Sequence, residues 1–480
     1  MYDETKIGNS DPKIEISRAL VSFNVNDISS SLKDKVSFDS GNFKCTLNLF
    51  DVQGTSVAPS DFTLEVYPLS RSFDEGRGQD LSTFNDLDSA NFITASYRYG
   101  NSYLWNTSGS RAVGLLNSTD IDIIGSGTLA GTSSQVNLYK SQYFKNGTED
   151  LSIDITNLVS ASMCGLLPTF TGSLGFCIGF KTSEETDTST RFVKRFASRH
   201  TRNPNLRPNI TIEYDDSIVD YHKMFEFNST GSIFLRTYEH NRPANVVYDA
   251  SLRTITGSNS MLVRLTTGSF AFQVTASQHQ KNGYFHTGIY SASFAMSSKD
   301  SSAVYVTSTT ASLADLIYAS GSVTFGEQWY DLYKNTRFYS GSLTINSPQN
   351  LVNLSQRDFR VSVKNVRSSY RRGSSAKIRL FLRDKNLAQE KFRKPIKLSS
   401  ITIPEMYYRI KDADSNKVLI PFRKSDSTRS TQISFDDDGP FFNLPTAALP
   451  IGRAYTIEVM IVDRGVETIL DTETRFRMDV

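Results

Sequence analysis

RFVKRFASRHTRNPNLRPNITIEY, residues 191–214, decides how this chain is divided. An alternating strand around Phe192 and Phe196 runs into a basic Ser-Arg-His turn. Leu206-Arg207-Pro208 then pins the chain ahead of a second alternating strand, residues 209–214. Proline has no amide hydrogen to give to a ladder, so Pro208 fits a strand's first residue or a sheet edge. The stretch therefore reads as the close of a β-domain. Arg199, Arg202 and Arg207 are expected to brace the seam to the next domain rather than to bind a ligand.

Working outward, 480 residues exceed what one compact core can serve, and three domains are expected, at 1–215, 216–355 and 356–480. Hydrophobic content is 38%, and Ser, Thr and Asn recur between short β-branched or aromatic runs. That pattern suits all-β sandwiches with wet outer faces. The net charge of +2 offers no global attraction to nucleic acid or membrane. Cys45, Cys164 and Cys177 lack both disulfide-scaffold and zinc spacing, and Cys177 lies in an apolar run that suits a small buried thiol. No apolar leader opens the chain and no apolar run reaches 18 residues, so a soluble protein assembled in a reducing cytoplasm is expected.

Period-two alternation marks strands in RALVSFNVNDI from Arg18, in FKCTLNLFD at 43–51, in FTLEVY at 62–67 and in LSIDITN at 151–157. A polar helix or turn follows the first of these at 29–35, and 175–181 has the continuous apolarity of a buried strand. Residues 68–105 form an aromatic, irregular crossing loop with turn points at Gly76, Gly78 and Gly100.

These residues carry a resemblance. The order Arg18-Ala-Leu-Val-Ser-Phe23, Leu64-Glu-Val-Tyr67, Ser72-Phe-Asp-Glu-Gly-Arg-Gly78, the run 97–105, Leu151-Ser-Ile-Asp-Ile-Thr156, the run 175–180, and Phe196-Ala-Ser-Arg199 with Arg207-Pro208 resembles the DNRLRE-type β-sandwich. The resemblance covers about 200 residues, under half the chain. It implies a jelly-roll-like sandwich of the kind found in bacterial surface and polysaccharide-associated proteins. Versions with this long loop resemble those in virion proteins of tailed bacteriophages. The family's opening strand and Asn-Tyr-Gly turn are missing, which leaves the first strand absent, degenerate or supplied by a neighbour.

After residue 215, strands are expected at 231–238, 261–274, 288–295, 303–307 and 340–345, with a short helical turn at Ser-Leu-Ala-Asp-Leu-Ile317 and an aromatic core. From Arg357, the phrases DFRVSVKNV and 376–383, then 406–412, 417–422, 431–435 and 453–462, alternate with turn signals about every ten residues. This spacing predicts a seven-strand immunoglobulin-like sandwich, with 467–478 available as a last strand.

Chemistry is thin. The five histidines have no metal-ligand spacing, and neither a nucleophile elbow nor a phosphate loop is present. Asp436-Asp-Asp-Gly439 and Glu184-Glu185-Thr186-Asp187 read as solvated turns or interface charges, with calcium as the sharper alternative. Glu65, Asp74 and Glu75 lie in segments already explained as edge and loop. Trp105 and Trp329, with Tyr97, Tyr99 and Tyr330, are candidate sugar-stacking rings, against the plainer reading of core or subunit contact.

The one strong charge asymmetry lies at 357–397, with 14 basic and 3 acidic residues. Its strand-borne members Arg357, Arg360, Lys364, Arg367, Arg371, Arg372, Lys377, Arg379 and Arg383 are candidate interface residues. They suit a lysine- and arginine-protected edge or an acidic protein neighbour, and nucleic acid is not expected.

No enzymatic activity and no cofactor are expected. The expected role is that of a structural virion protein of a tailed bacteriophage, an adaptor or decoration subunit of neck, tail or baseplate. It would associate with other virion proteins in a symmetric multimer, without a membrane. A receptor- or polysaccharide-binding surface protein and a capsid-decorating protein are the alternatives.

Overall fold

The structure, a computed structural model, describes residues 2–5, 14–39, 41–52, 59–76, 89–98, 101–129, 134–169, 172–187, 192–248, 253–306, 309–348, 357–386, 400–425 and 428–479. Gly78, Tyr99, Gly100 and the basic residues 391–397 lie outside them. The chain is all-β, a tandem of β-sandwich architecture in two compact units, 1–214 and 215–480.

In the first unit, Lys140–Phe144, Phe62–Pro68, Ser173–Phe180 and Ala19–Asn24 form one antiparallel sheet. Leu151–Asp154, Phe43–Leu49 and Asn209–Tyr214 form a second. Phe43–Leu49 and Phe62–Pro68 each alternate buried with half-buried residues, so every second side chain enters one core. There Cys45, Leu47, Phe62, Phe144 and Phe176 are fully enclosed, with Phe62 stacked on Phe144 at 5.1 Å. Asn24 caps helix Val25–Leu32 by accepting from the Asn26 amide. A second helix, Thr156–Met163, ends the strand reading at 151–157 after four residues.

The closing stretch is half as expected. Asn209–Tyr214 is an edge strand that begins directly after Pro208. Residues 192–195 are not a strand, and Phe196 makes a single bridge to Asp51. The reason is Lys194. Its ammonium is buried, at 2% exposure, and bonds Asp51 and the carbonyls of Gly147 and Glu149. The backbone bends to meet those partners and leaves the ladder, while Phe192 still packs on Phe62. Arg199 pairs with Glu75 at the surface, and Arg202 and Arg207 are not enclosed.

The second unit holds two cores. In residues 225–346 a six-stranded antiparallel sheet runs in the order Gly231–Arg236, Tyr284–Phe294, Phe270–Lys281, Met261–Thr267, Ser322–Asp331, Arg337–Asn346. The expected strand at 261–274 is a hairpin, split where Gly268 takes φ 52° between two strands. The Phe227 amide donates to the Asn346 carbonyl and the Asn346 amide to that of Phe225, so the chain ahead of the first strand meets the last one and the sheet curls round its core. Trp329, Tyr290, Phe225 and Phe325 fill that core. Helix Leu313–Ser320 carries a Ser312/Asp315 capping box and ends at left-handed Gly321.

Among the described residues, 357–479 form a sandwich of nine strands rather than seven. Phe359–Val363, Ala376–Asp384, Gly439–Leu444 and Ser434–Asp436 make one sheet. Ser369–Arg371, Val466–Asp479, Ala454–Asp463, Met406–Asp412 and Val418–Ile420 make the other. The short strand Ser369–Arg371 leaves the first sheet's edge to pair in parallel with the last strand. This is immunoglobulin topology, and it brings that fold's tyrosine corner: Tyr455 starts its strand and donates to the Pro450 carbonyl at 2.6 Å. In place of a disulfide and tryptophan, Tyr408 stacks on Phe442 at 4.2 Å.

Candidate assembly interface

The part of the basic strip carried by Phe359–Val363 and Ala376–Asp384 lies on the outer face of the four-stranded sheet of the immunoglobulin-like lobe, because residues 359, 361, 378, 380 and 382 face the core and their neighbours face out, whereas Arg371 lies on the other sheet. The structure divides it in two. Lys377 and Arg379 converge on Asp436, Arg379 with two bonds at 2.7 and 2.8 Å and Lys377 at 2.8 Å. Arg236, from the curled-sheet lobe, reaches the same carboxylate at 3.6 Å, and all three cations lie over the Phe441 ring. Burial raises the Asp436 pKa, but the bonds from Arg379 and Lys377 outweigh it and hold the group below the usual carboxylate range. Burial lowers Lys377, against the pull of Asp436, and Arg379 is raised by its bonds to that carboxylate.

This half is therefore a bracket between two lobes. The segment entering the unit reinforces it. Val219 bridges Phe435 in parallel, and Phe435 and Asp220 bond across to the carbonyls of Ile218 and Phe435. Beside it, His222 is held between Asp220 at 2.6 Å and Glu327 at 3.0 Å, and Glu327 also accepts from Trp329. Burial lowers the His222 pKa, but the two carboxylates outweigh it and lift the group to about 10. Asp220, His222 and Asp437 come within 4.8 Å of one another. Both ring nitrogens of His222 are engaged by carboxylates, Asp220 on one side and Glu327 on the other. Lys223 adds a bond to the Asp437 carbonyl.

The other half is open. Arg360, Arg367, Arg371 and Arg372 are exposed, Arg383 is half-buried, and Lys364 lies over Phe381. Arg360 sits directly opposite Arg383 in the ladder, a like-charge pair that costs stability. Arg357 reaches Asp463 at 3.9 Å, and Arg372 donates to the Ala447 carbonyl.

The acidic runs are spoken for. Asp436–Asp438 is a hairpin turn used by the bracket, and Arg379 also reaches Asp438. Glu185 is bound by Arg18 through two bonds of 2.8 Å, and Glu184 accepts from the Thr63 amide. Trp105 is 5% exposed with its indole N–H donated to the Asn91 carbonyl, and Trp329 is fully buried. Neither offers a ring face to a sugar, because each fills a core. Tyr97 is exposed and Tyr330 is half-buried against Gln328. Missed by sequence reading is a cavity of about 400 Å³ in the first unit, lined by Ser70, Arg71, Ser72, Ser96, Tyr103 and Thr119 among others. Only the strand pairing of distant segments assembles it.

No protein-family model and no curated protein matches the chain. Among solved structures, a chimeric titin Z1Z2 tandem is 12% identical, over 53% of this chain and 92% of that one, with a TM-score of 0.15. Three N-terminal domains of the outer capsid protein Hoc of bacteriophage RB49 are 8% identical, over 53% and 66%, with a TM-score of 0.16. A D00-D0 domain of intimin is 12% identical, over 53% and 93%, with a TM-score of 0.13.

Proposed function

We propose that this chain is a structural virion protein of a tailed bacteriophage, an adaptor or decoration subunit of neck, tail or baseplate that works by association and not by catalysis. The observation that carries the reading is the divided basic strip. One half locks two lobes into a single scaffold, and the other leaves exposed cations on an open sheet edge, as a subunit docking on an acidic neighbour requires. The DNRLRE-type resemblance of the first unit supports the same setting. Mass spectrometry and cryo-electron microscopy of purified virions test it. The protein is expected in intact particles at a repeating position, and its absence from them overturns the reading.

A second reading, polysaccharide or receptor binding, is favoured by the hydroxyl-lined cavity beside exposed Tyr103. Glycan-array binding lost in Tyr103→Ala supports it, and an array without signal removes it.

A further inference from the structure

One lateral side of the immunoglobulin-like lobe carries two unpaired strand edges. Strand Phe359–Val363 ends its sheet, and Val466–Asp479 is covered by Ser369–Arg371 only at residues 477–479. Among the described residues nothing else pairs with either edge. On the opposite side, Ser434–Asp436 is already capped by residues 218–220. The chain from 359 to 371 runs in the same direction as the last strand, and Arg357 meets Asp463 where both begin. The two free edges thus lie side by side, one in each sheet.

Their outward side chains are opposite in sign and equal in spacing. Arg360, Ser362 and Lys364 project from the first edge. Glu467, Ile469 and Asp471 project from the second, Glu467 also pairing with Lys424 of its own chain, ahead of an irregularity in the ladder at 472–474. Arg360 is repelled by Arg383 across its own ladder, and Ile469 is 52% exposed.

We propose that the lobe pairs with a second copy of this chain, strand Phe359–Val363 of each lying parallel to residues 466–471 of the other. A half-turn about an axis along the strands exchanges the two sheets. It therefore sets Arg360 beside Glu467, Ser362 beside Ile469 and Lys364 beside Asp471 on one outer face. Pairing like edges would set Lys364 and Arg360 against themselves, or Glu467 against Asp471, and like charges across a ladder repel. Mixed pairing alone joins opposite charges, and it uses all four edges in a closed, isologous dimer. Backbone bonds supply affinity and the charges fix register.

This deepens the assembly reading, yet it is measured on purified full-length chain, so its failure and the protein's absence from virions are separate results. Sedimentation velocity over a concentration series should show a monomer–dimer equilibrium weakened by salt. Arg360→Glu with Lys364→Glu, or Glu467→Lys with Asp471→Lys, should weaken self-association on the order of 100-fold at unchanged melting temperature. Mixed together, the two double variants should form a one-to-one heterodimer, since each then offers what the other lacks. Carbodiimide treatment of the unaltered chain should link Lys364 to Glu467 or Asp471 of another copy. A chain monomeric at every concentration overturns the proposal. So does a dimer indifferent to both reversals, or a mixture of the folded variants that stays monomeric.

Discussion

The two lobes of the second unit are built from the same alternation of buried and wet residues, and they use their edges differently. The lobe at 225–346 curls until its lead-in segment meets its last strand, at the bridge between residues 226 and 346. The lobe at 357–479 keeps two separate sheets, and among the described residues Phe359–Val363 and most of Val466–Asp479 each have one edge unpaired. Curling closes a surface, and a sandwich leaves one to be used. The histidines sharpen the contrast, because His222, His240, His279 and His286 belong to the curled lobe or its lead-in and the sandwich has none.

Breaking the curled lobe's core should have the largest effect. Trp329→Ala removes its largest enclosed ring and should cost about 3–5 kcal/mol in chemical denaturation, with the sandwich's own transition spared. Next is Asp436→Ala, which strands Lys377, Arg379 and Arg236. A loss of about 2 kcal/mol is expected, below that of a fully buried pair because the cations keep contact with water, and proteolysis should then cut between the lobes.

pH should separate the lobes as well. The His222 pKa is raised, so its stabilisation is complete below pH 6.5 and is lost as pH climbs toward about 10. The His279 pKa is lowered to about 4 by burial first and then by His286, Lys281 and Arg236. Its site therefore loses stability as pH falls from 6.5 toward 4. Melting followed across pH should show the curled lobe weakening on both sides of pH 6.5, a response that His222→Gln and His279→Gln flatten on the alkaline and acid side respectively. Tyr455→Phe, which removes the tyrosine corner, should cost about 1 kcal/mol and act on the sandwich alone. Smallest of all, Arg360→Ser should stay within about 0.5 kcal/mol, because the arginine faces water and repels Arg383.

How much of this was legible depended on what water could see. Phe43–Leu49 and Phe62–Pro68 have one face nearer water, and their period-two pattern marks them directly. Ser322–Asp331 alternates as well, yet its buried positions include Glu327 and Asp331, polar groups that sequence assigns to solvent. Lys194 misled for the same reason, since a buried ammonium has no local signature. The basic strip was visible as composition, but its division was not. Asp436 lies 57 residues from Arg379, and only the hairpin at 434–444 brings it there. Trp105 and Trp329 show the limit from the other side, because an aromatic in a strand looks alike whether it faces a sugar or a core.

The parallel bridge of residues 218–220 to Ser434–Asp436 has a mechanical meaning. Tension entering the second unit through its first residues would load this short ladder along its strands. Its hydrogen bonds then share the force and must yield together instead of opening one by one. The lobes are thus joined by a shear-loaded clasp at the point where a pull on the chain first arrives.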